Sequence, residues 1–264
     1  MNKVIRILKR DGLVFTIKRA VAWLIGHSPF WDKLSFKFYK NYRLTFAPSM
    51  LTYVLFAQKT ARDEDTKVLE RFLSAGDIVI DVGAHIGSTA IVSADKVGKD
   101  GKVLAFEASK KFYKILTTNV DINRLSSIVT CFPFAVGDKK TKVFINESVA
   151  DDTTNYVGET GNSVEQIILD DYTKDLHEVN FLKIDVEGYE PAVLSGATET
   201  LQKTKYVYIE FCTDNFKNLG SDPNEIIDVL TDIFTLHTLI DDKLNPFEYK
   251  NNEKYATNIL AIKK

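Results

Sequence analysis

The run Gly76-Asp77-Ile78-Val79-Ile80-Asp81-Val82-Gly83-Ala84-His85-Ile86-Gly87 reads as a buried strand ending in a glycine turn, with a helix opening at Ser88 or Thr89. The segment between Gly76-Asp77 and Gly83 is too short for a helix, and its β-branched residues suit a strand covered on both faces. Upstream, Ser74-Ala75-Gly76-Asp77 closes a helical stretch from Glu64 to Leu73. Downstream the chain alternates. Strands are expected at 102–106, 128–134, 180–185, 206–211, 233–239 and 256–262, and helices at 88–97, 109–123, 191–203 and 223–231. Strands separated by helices of this length imply right-handed crossovers, hence an α/β fold with a Rossmann-like, doubly wound and mainly parallel sheet. The last two strands are joined around Asp241 to Asn252 without a helix, which predicts a terminal antiparallel hairpin. Thr141 to Ile145 reads as an extra strand and Asp151 to Asn162 as a polar loop.

In such a sheet the ligand crevice opens at the carboxyl ends of the strands, so the turn at 83–87 lies at its mouth. Gly83 and Gly87 remove side chains where a ligand would approach the backbone. The second strand ends in Glu107, 24 residues past Gly83, where an acidic side chain accepts hydrogen bonds from ribose hydroxyls. Turn and carboxylate together point to an adenosine-containing ligand. The dinucleotide pattern G-x-G-x-x-G fails at His85 and Ser88, and a P-loop is absent. Asp81, two residues before the first glycine, would repel a pyrophosphate but suits a ligand bearing an ammonium and a sulfonium. S-adenosylmethionine is such a ligand.

The turn, with Phe106-Glu107-Ala108 after it, resembles motif I and the acidic second-strand end of the FkbM-type methyltransferases. The segment Phe181-Leu182-Lys183-Ile184-Asp185-Val186-Glu187-Gly188-Tyr189-Glu190, followed by Val193-Leu194-Ser195-Gly196-Ala197, is similar to that family's most distinctive stretch. The resemblance covers residues 63 to 212. It implies a class I methyltransferase fold and S-adenosylmethionine-dependent O-methylation of a sugar or macrolide hydroxyl. The candidate cofactor-binding residues are then Asp81, Gly83, His85, Gly87, Glu107, Ala108, Ala135 and Asp185, with the adenine near Ala135-Val136-Gly137-Asp138 by fold analogy.

Read from the residues themselves, Lys183 to Glu187 is an apolar strand running into two carboxylates, placing Asp185 in the same crevice as Asp81 and Glu107. Methyl transfer to a hydroxyl is an in-line displacement that needs aligned partners and a proton acceptor. Asp185 and Glu187 are the candidate catalytic residues; the structural alternative has them cap the helix near Pro191 or pair with Lys183. His85 is a further base candidate, although a backbone contact with the cofactor suits it better. A metal-assisted variant would use Asp185 with Asp214-Asn215 after the fifth strand; the expectation is that no metal is involved.

The formal charge of −2 is unevenly spread. Residues 1–43 hold ten Lys/Arg against Asp11 and Asp32, a net of +8, leaving −10 for the remainder. An acidic catalytic part, without an Asn-Pro-Pro-Tyr motif, excludes nucleic acid as the expected acceptor. Val4, Ile5, Leu8, Val14, Ile17, Val21 and Leu24 recur at helical spacing, interrupted by Asp11-Gly12, with Lys3, Arg6, Lys9, Arg10, Lys18 and Arg19 on the polar faces. Such helices would either dock on an anionic membrane or acidic partner, or pack on the chain's own acidic domain. The apolar runs are too short to span a bilayer, and no secretory signal pattern is present. Residues 30 to 57 are aromatic-rich and read as strands or short helices covering a core. The expected organisation is a basic helical and aromatic appendage over 1–62 and a catalytic domain over 63–264. Cys131 and Cys212 lie in apolar stretches without metal-ligand spacing, as fits a reducing, cytoplasmic protein. The acceptor is expected to be a sugar or glycan. A catalytically inactive cofactor-binding module and a nicotinamide oxidoreductase are the alternatives.

Overall fold

The computed structural model describes residues 12–58, 63–146, 156–158, 160–251 and 253–264. Its centre is an eight-stranded sheet ordered β13-β12-β14-β11-β10-β3-β4-β5, built from β3 (Ile78–Val82), β4 (Lys102–Phe106), β5 (Val129–Phe132), β10 (Val179–Ile184), β11 (Thr204–Cys212), β12 (Phe234–Ile240), β13 (Lys243–Pro246) and β14 (Ala256–Lys263). From β11 to β5 every neighbouring pair is parallel, and β14, β12 and β13 join antiparallel. The expected α/β, doubly wound sheet is therefore present, with its antiparallel end richer than a hairpin. The last strand, β14, inserts between β12 and β11, and the short β13, which sequence reading left as loop, makes the outer edge.

Alternate side chains of each inner strand enter opposite cores because a strand's side chains alternate faces. Val79, Val103 and Phe181 pack on one side with α3 (Asp63–Phe72), α4 (Ser88–Val97) and α5 (Lys110–Ile122). Ile80, Leu104 and Leu182 pack on the other with α6 (Leu169–Thr173), α7 (Glu190–Ser195), α8 (Thr198–Gln202), α9 (Thr213–Asn218) and α10 (Pro223–Ile233). The helix expected over 191–203 is two pieces. A Cβ on Gly196 would lie 2.0 Å from the Gly137 carbonyl oxygen, so the chain bends there to pass over the loop below.

A second sheet, ordered β6-β9-β7-β8, combines β6 (Ala135–Val136), β7 (Thr141–Asn146), β8 (Tyr156–Gly158) and β9 (Asn162–Ile167). The expected strand at Thr141 to Ile145 is β7. The polar loop expected over Asp151 to Asn162 is corrected in part: 151–155 lie outside the described residues, and Tyr156–Gly158 pairs with β7 because Val157 can meet a small core of Ala135, Ile145 and Val164.

Before the central sheet come α1 (Leu13–Gly26), the hairpin β1 (Ser35–Tyr39) and β2 (Tyr42–Thr45), and α2 (Met50–Ala57). Phe36, Leu44, Phe46 and Leu55 join the first of the two cores, so the aromatic stretch does cover a core. The orientation of α1 differs from the reading that packs its apolar stripe inward. Ala22 and Gly26 are buried, whereas Leu13, Val14, Ile17, Val21 and Leu24 face solvent. The expected helical residues Val4, Ile5 and Leu8 lie outside the described residues. No helix among the described residues is long and apolar enough to cross a membrane.

Candidate active site

The chain leaves β3 toward β4 on one side and leaves β10 toward β11 on the other, so the β3–β10 junction is the switch point where such sheets open a crevice. The two strand ends touch. The Asp185 amide donates to the Val82 carbonyl at 3.1 Å, and a Cβ on Gly83 would sit 1.9 Å from the Asp185 carbonyl oxygen. With φ at +82°, position 83 requires glycine for main-chain contact as well as for conformation. Gly87, at φ +85°, is set against Leu116. Ligand clearance, the reason given from sequence, is thus not what the two glycines provide most directly.

A cavity of about 390 Å³ opens at this junction. Of the residues singled out from sequence, Gly83, His85, Glu107, Ala108, Ala135, Asp185 and Glu187 line it; Asp81 and Gly87 stand behind the wall. Apolar surface comes from Phe106, Phe134, Val136, Ile145 and Val157. Among the described residues, six carboxylates line it too, Glu64, Asp65, Glu107, Asp185, Glu187 and Glu210, and no Lys or Arg does. Glu64 and Asp65 escaped the sequence reading because they open α3, where acidic residues ordinarily serve the helix N-terminus.

Glu107 shapes the turn. Its Oε2 accepts from the His85 amide and its Oε1 from the Ser109 amide, each at 2.8 Å. The same carboxylate lines the cavity. His85 itself adopts φ 50°, and its ring lies 4.0 Å from that of Phe112.

Register explains the next feature. Lys183 of β10 pairs with Asp81 of β3, which brings both side chains to the same face. The buried Lys183 ammonium lies 3.7 Å from Asp81 Oδ1 and donates to Asp185 Oδ2 at 3.0 Å, while the Thr89 hydroxyl donates to Asp81 Oδ2 at 2.6 Å. Asp81 thus anchors the cation that holds Asp185, and it is not among the residues that line the cavity. Asp185 pairs with Lys183 and lines the cavity.

Glu187 sits at φ 54° and Gly188 at φ 102° in a loop pinned from inside by Glu190. The fully buried Glu190 carboxylate accepts from the Val186 and Gly188 amides, each at 2.9 Å. Two amide donors favour its anion, but burial outweighs them and pushes its pKa up to about 8. Glu187 is also raised to about 8, first by burial and then by the charges of Glu210, Asp185 and Glu190; the Asn215 amide, donating at 3.2 Å, works the other way.

These carboxyls keep their protons in the fold where the unfolded chain has lost them. Their contribution to stability is complete below the ordinary carboxyl pKa of 4.5 and disappears as the pH rises through about 8. The melting temperature should therefore fall between pH 5 and 8.5, and Glu190→Gln should flatten that slope while sparing the amide acceptor at one oxygen. Equal slopes in variant and wild type, measured by calorimetry, would show that the group is ionised throughout.

The donor set suits a cationic nucleoside. A carboxylate-rich lining with no Lys or Arg among the described residues disfavours phosphate, whereas the apolar surface beside Ala135 and Val136 can take a planar base. Asp185, Glu187 and Glu210 also bring one carboxylate oxygen each within 4.8 Å of the others, a spacing a divalent cation could bridge. The pair named from sequence does not complete such a set. Asp214 is exposed and bonded to Lys254 at 2.9 Å, and Asn215 serves Glu187.

Comparison with known proteins bears on this site. Residues 81–235 match the methyltransferase FkbM domain. The hexuronic acid methyltransferase AglP of Haloferax volcanii is 29% identical over 160 residues, which cover 59% of this chain and 62% of that protein. Among solved structures, an S-adenosylmethionine-dependent O-methyltransferase from Thermotoga maritima superposes with a TM-score of 0.45 at 18% identity, covering 76% of this chain and 64% of its own. An O-methyltransferase from Bacillus cereus in complex with S-adenosylhomocysteine gives a TM-score of 0.45 at 16% identity over 75% of this chain and 80% of its own. With the matched segment running through both strand ends of the crevice and more than half of the sequence, the chain belongs to the FkbM methyltransferase family.

Proposed function

We propose that this methyltransferase uses S-adenosylmethionine to methylate a hydroxyl of a small molecule, in particular a sugar or glycan. The observation that carries the reading is the cavity at the β3–β10 switch point, which the described residues line with apolar side chains and six carboxylates and with no Lys or Arg. The bound cofactor supplies an electrophilic methyl group on a sulfonium. Around it the Glu107 carboxylate meets the ribose, the wall at Ala135 and Val136 takes the adenine, and Ala108 leaves room beside them. The backbone turn at Gly83, His85 and Gly87 follows the cofactor's methionine end, with Asp81 acting through Lys183 and Asp185.

Of the two candidate catalytic carboxylates, Glu187 is the better proton acceptor. Asp185 already accepts a hydrogen bond from the Lys183 ammonium at 3.0 Å, so its Oδ2 is committed within the protein. Glu187 holds its proton tightly in the free protein, and a positive charge brought into the cavity lowers its pKa from about 8 toward neutrality. It can then receive the acceptor's hydroxyl proton as the new C–O bond forms. The same ammonium supplies positive charge beside Asp185, so the reaction is read as independent of a divalent metal.

The sugar assignment leans on the relative that acts on a hexuronic acid, and the chain spans about 62% of that protein's length. Titration calorimetry with S-adenosylhomocysteine, paired with release of that product from S-adenosylmethionine over a panel of glycosides, tests it. Binding plus turnover of a glycoside supports the proposal. Binding with no turnover on any hydroxyl acceptor points to the inactive module, and stabilisation by NAD in place of S-adenosylhomocysteine removes the reading altogether.

A further inference from the structure

The outward face of α1 is the largest feature the active site leaves unused. Successive residues of a helix advance by about 100°. Leu13, Val14, Ile17, Val21 and Leu24 thus fall within an arc of about 100°, and they are 63, 68, 53, 42 and 64% exposed. The opposite side seats the helix on the body. There Ala22 and Gly26 are buried, Gly26 lies against the Tyr53 ring, and the Arg19 guanidinium reaches the Met50 sulfur. A helix that has already buried one face keeps five aliphatic side chains in water on the other. Phe30 and Leu34, 57 and 46% exposed, follow in the next turns of chain, and Trp23 is half exposed on the flank.

The charge around this face identifies what it meets. Exposed Lys18 borders the stripe, exposed Lys33 lies over the Phe30 ring and Lys37 follows, in a segment whose 43 residues carry a net of +8. A second copy docked through the same face would set one basic segment against another, which repels. An anionic lipid surface answers both features, because aliphatic and aromatic side chains sink below headgroups while lysines meet the phosphates.

We propose that α1, with the Phe30–Leu34 segment, is a peripheral docking surface for an anionic bilayer. Aliphatics at 13, 14, 17, 21 and 24 insert below the headgroups, and Lys18, Lys33 and Lys37 remain at the phosphate level. The helix that carries α1, α2, also contributes Leu51 to the cavity, so the docking helix and the cavity share one supporting element. The docking does not depend on which hydroxyl the enzyme methylates.

Flotation of the full-length protein with vesicles of phosphatidylcholine alone, or with 30% phosphatidylserine, reads the surface directly. At least tenfold more protein should float with the anionic vesicles, and 0.5 M salt should reverse most of that gain by screening the lysines. Ile17→Asn with Leu24→Asn should remove the binding at least tenfold while keeping the melting temperature and S-adenosylhomocysteine affinity of the wild type, since both side chains are exposed. Equal partitioning onto the two vesicle types, or wild-type binding by the double variant, would overturn the proposal. So would light scattering that shows a stable dimer, dispersed by the same double substitution, together with absence from the vesicles.

Discussion

Replacing Glu187 with glutamine should lower kcat by roughly 10²–10⁴-fold while changing S-adenosylhomocysteine affinity by no more than a few fold. Glutamine keeps the size of the side chain and its bond with the Asn215 amide side, but it cannot accept a proton. The wild-type rate should rise with pH along a limb set by a group whose free-enzyme pKa is about 8, and the variant should lack that limb. A second signature separates lost chemistry from lost folding. Burial opposes the Glu187 anion, so the glutamine variant should be more stable than the wild type at alkaline pH even as it loses turnover. Asp185→Asn is the control. If it removes the rate and Glu187→Gln does not, the two carboxylates exchange roles.

Lys183→Met should destabilise the protein by about 3–5 kcal/mol, because it leaves the buried carboxylate of Asp81 and the partly buried one of Asp185 without their shared cation. For a chain of this size that corresponds to a fall in melting temperature of roughly 6–20 °C. The loss should shrink at low pH, where the carboxylates can take up protons and no longer need an ammonium. It should also shrink when Asp81→Asn is combined with Lys183→Met, and a double-mutant cycle isolates the coupling. A single variant that melts with the wild type at pH 7.5 would mean the ammonium holds nothing together.

The sheet was legible because its strands carry period-two and continuous apolar patterns that local sequence displays. Val79 and Ile80, Val103 and Leu104, and Phe181 and Leu182 enter opposite cores as such strands require. Site residues at strand ends were legible for the same reason, since a doubly wound sheet gathers them at one edge. What local pattern does not contain is long-range placement. The Asp81–Lys183 contact depends on the register of β3 against β10. Glu190 looks from sequence like an acid at a helix start, and only the folded loop shows it accepting from Val186 and Gly188. Helical spacing groups Leu13, Ile17 and Leu24 on one face without saying which way that face points. The break between α7 and α8 comes from a close approach to Gly137, almost sixty residues earlier in the chain.

β14 makes the antiparallel half of the sheet depend on one strand. A variant cut after residue 250 would keep β11 and β12 but lack Ala256–Lys263, the strand that bonds to both. Both strands would then present unsatisfied amides and carbonyls to other chains. Such a variant should aggregate in light scattering under conditions where the parent chain does not.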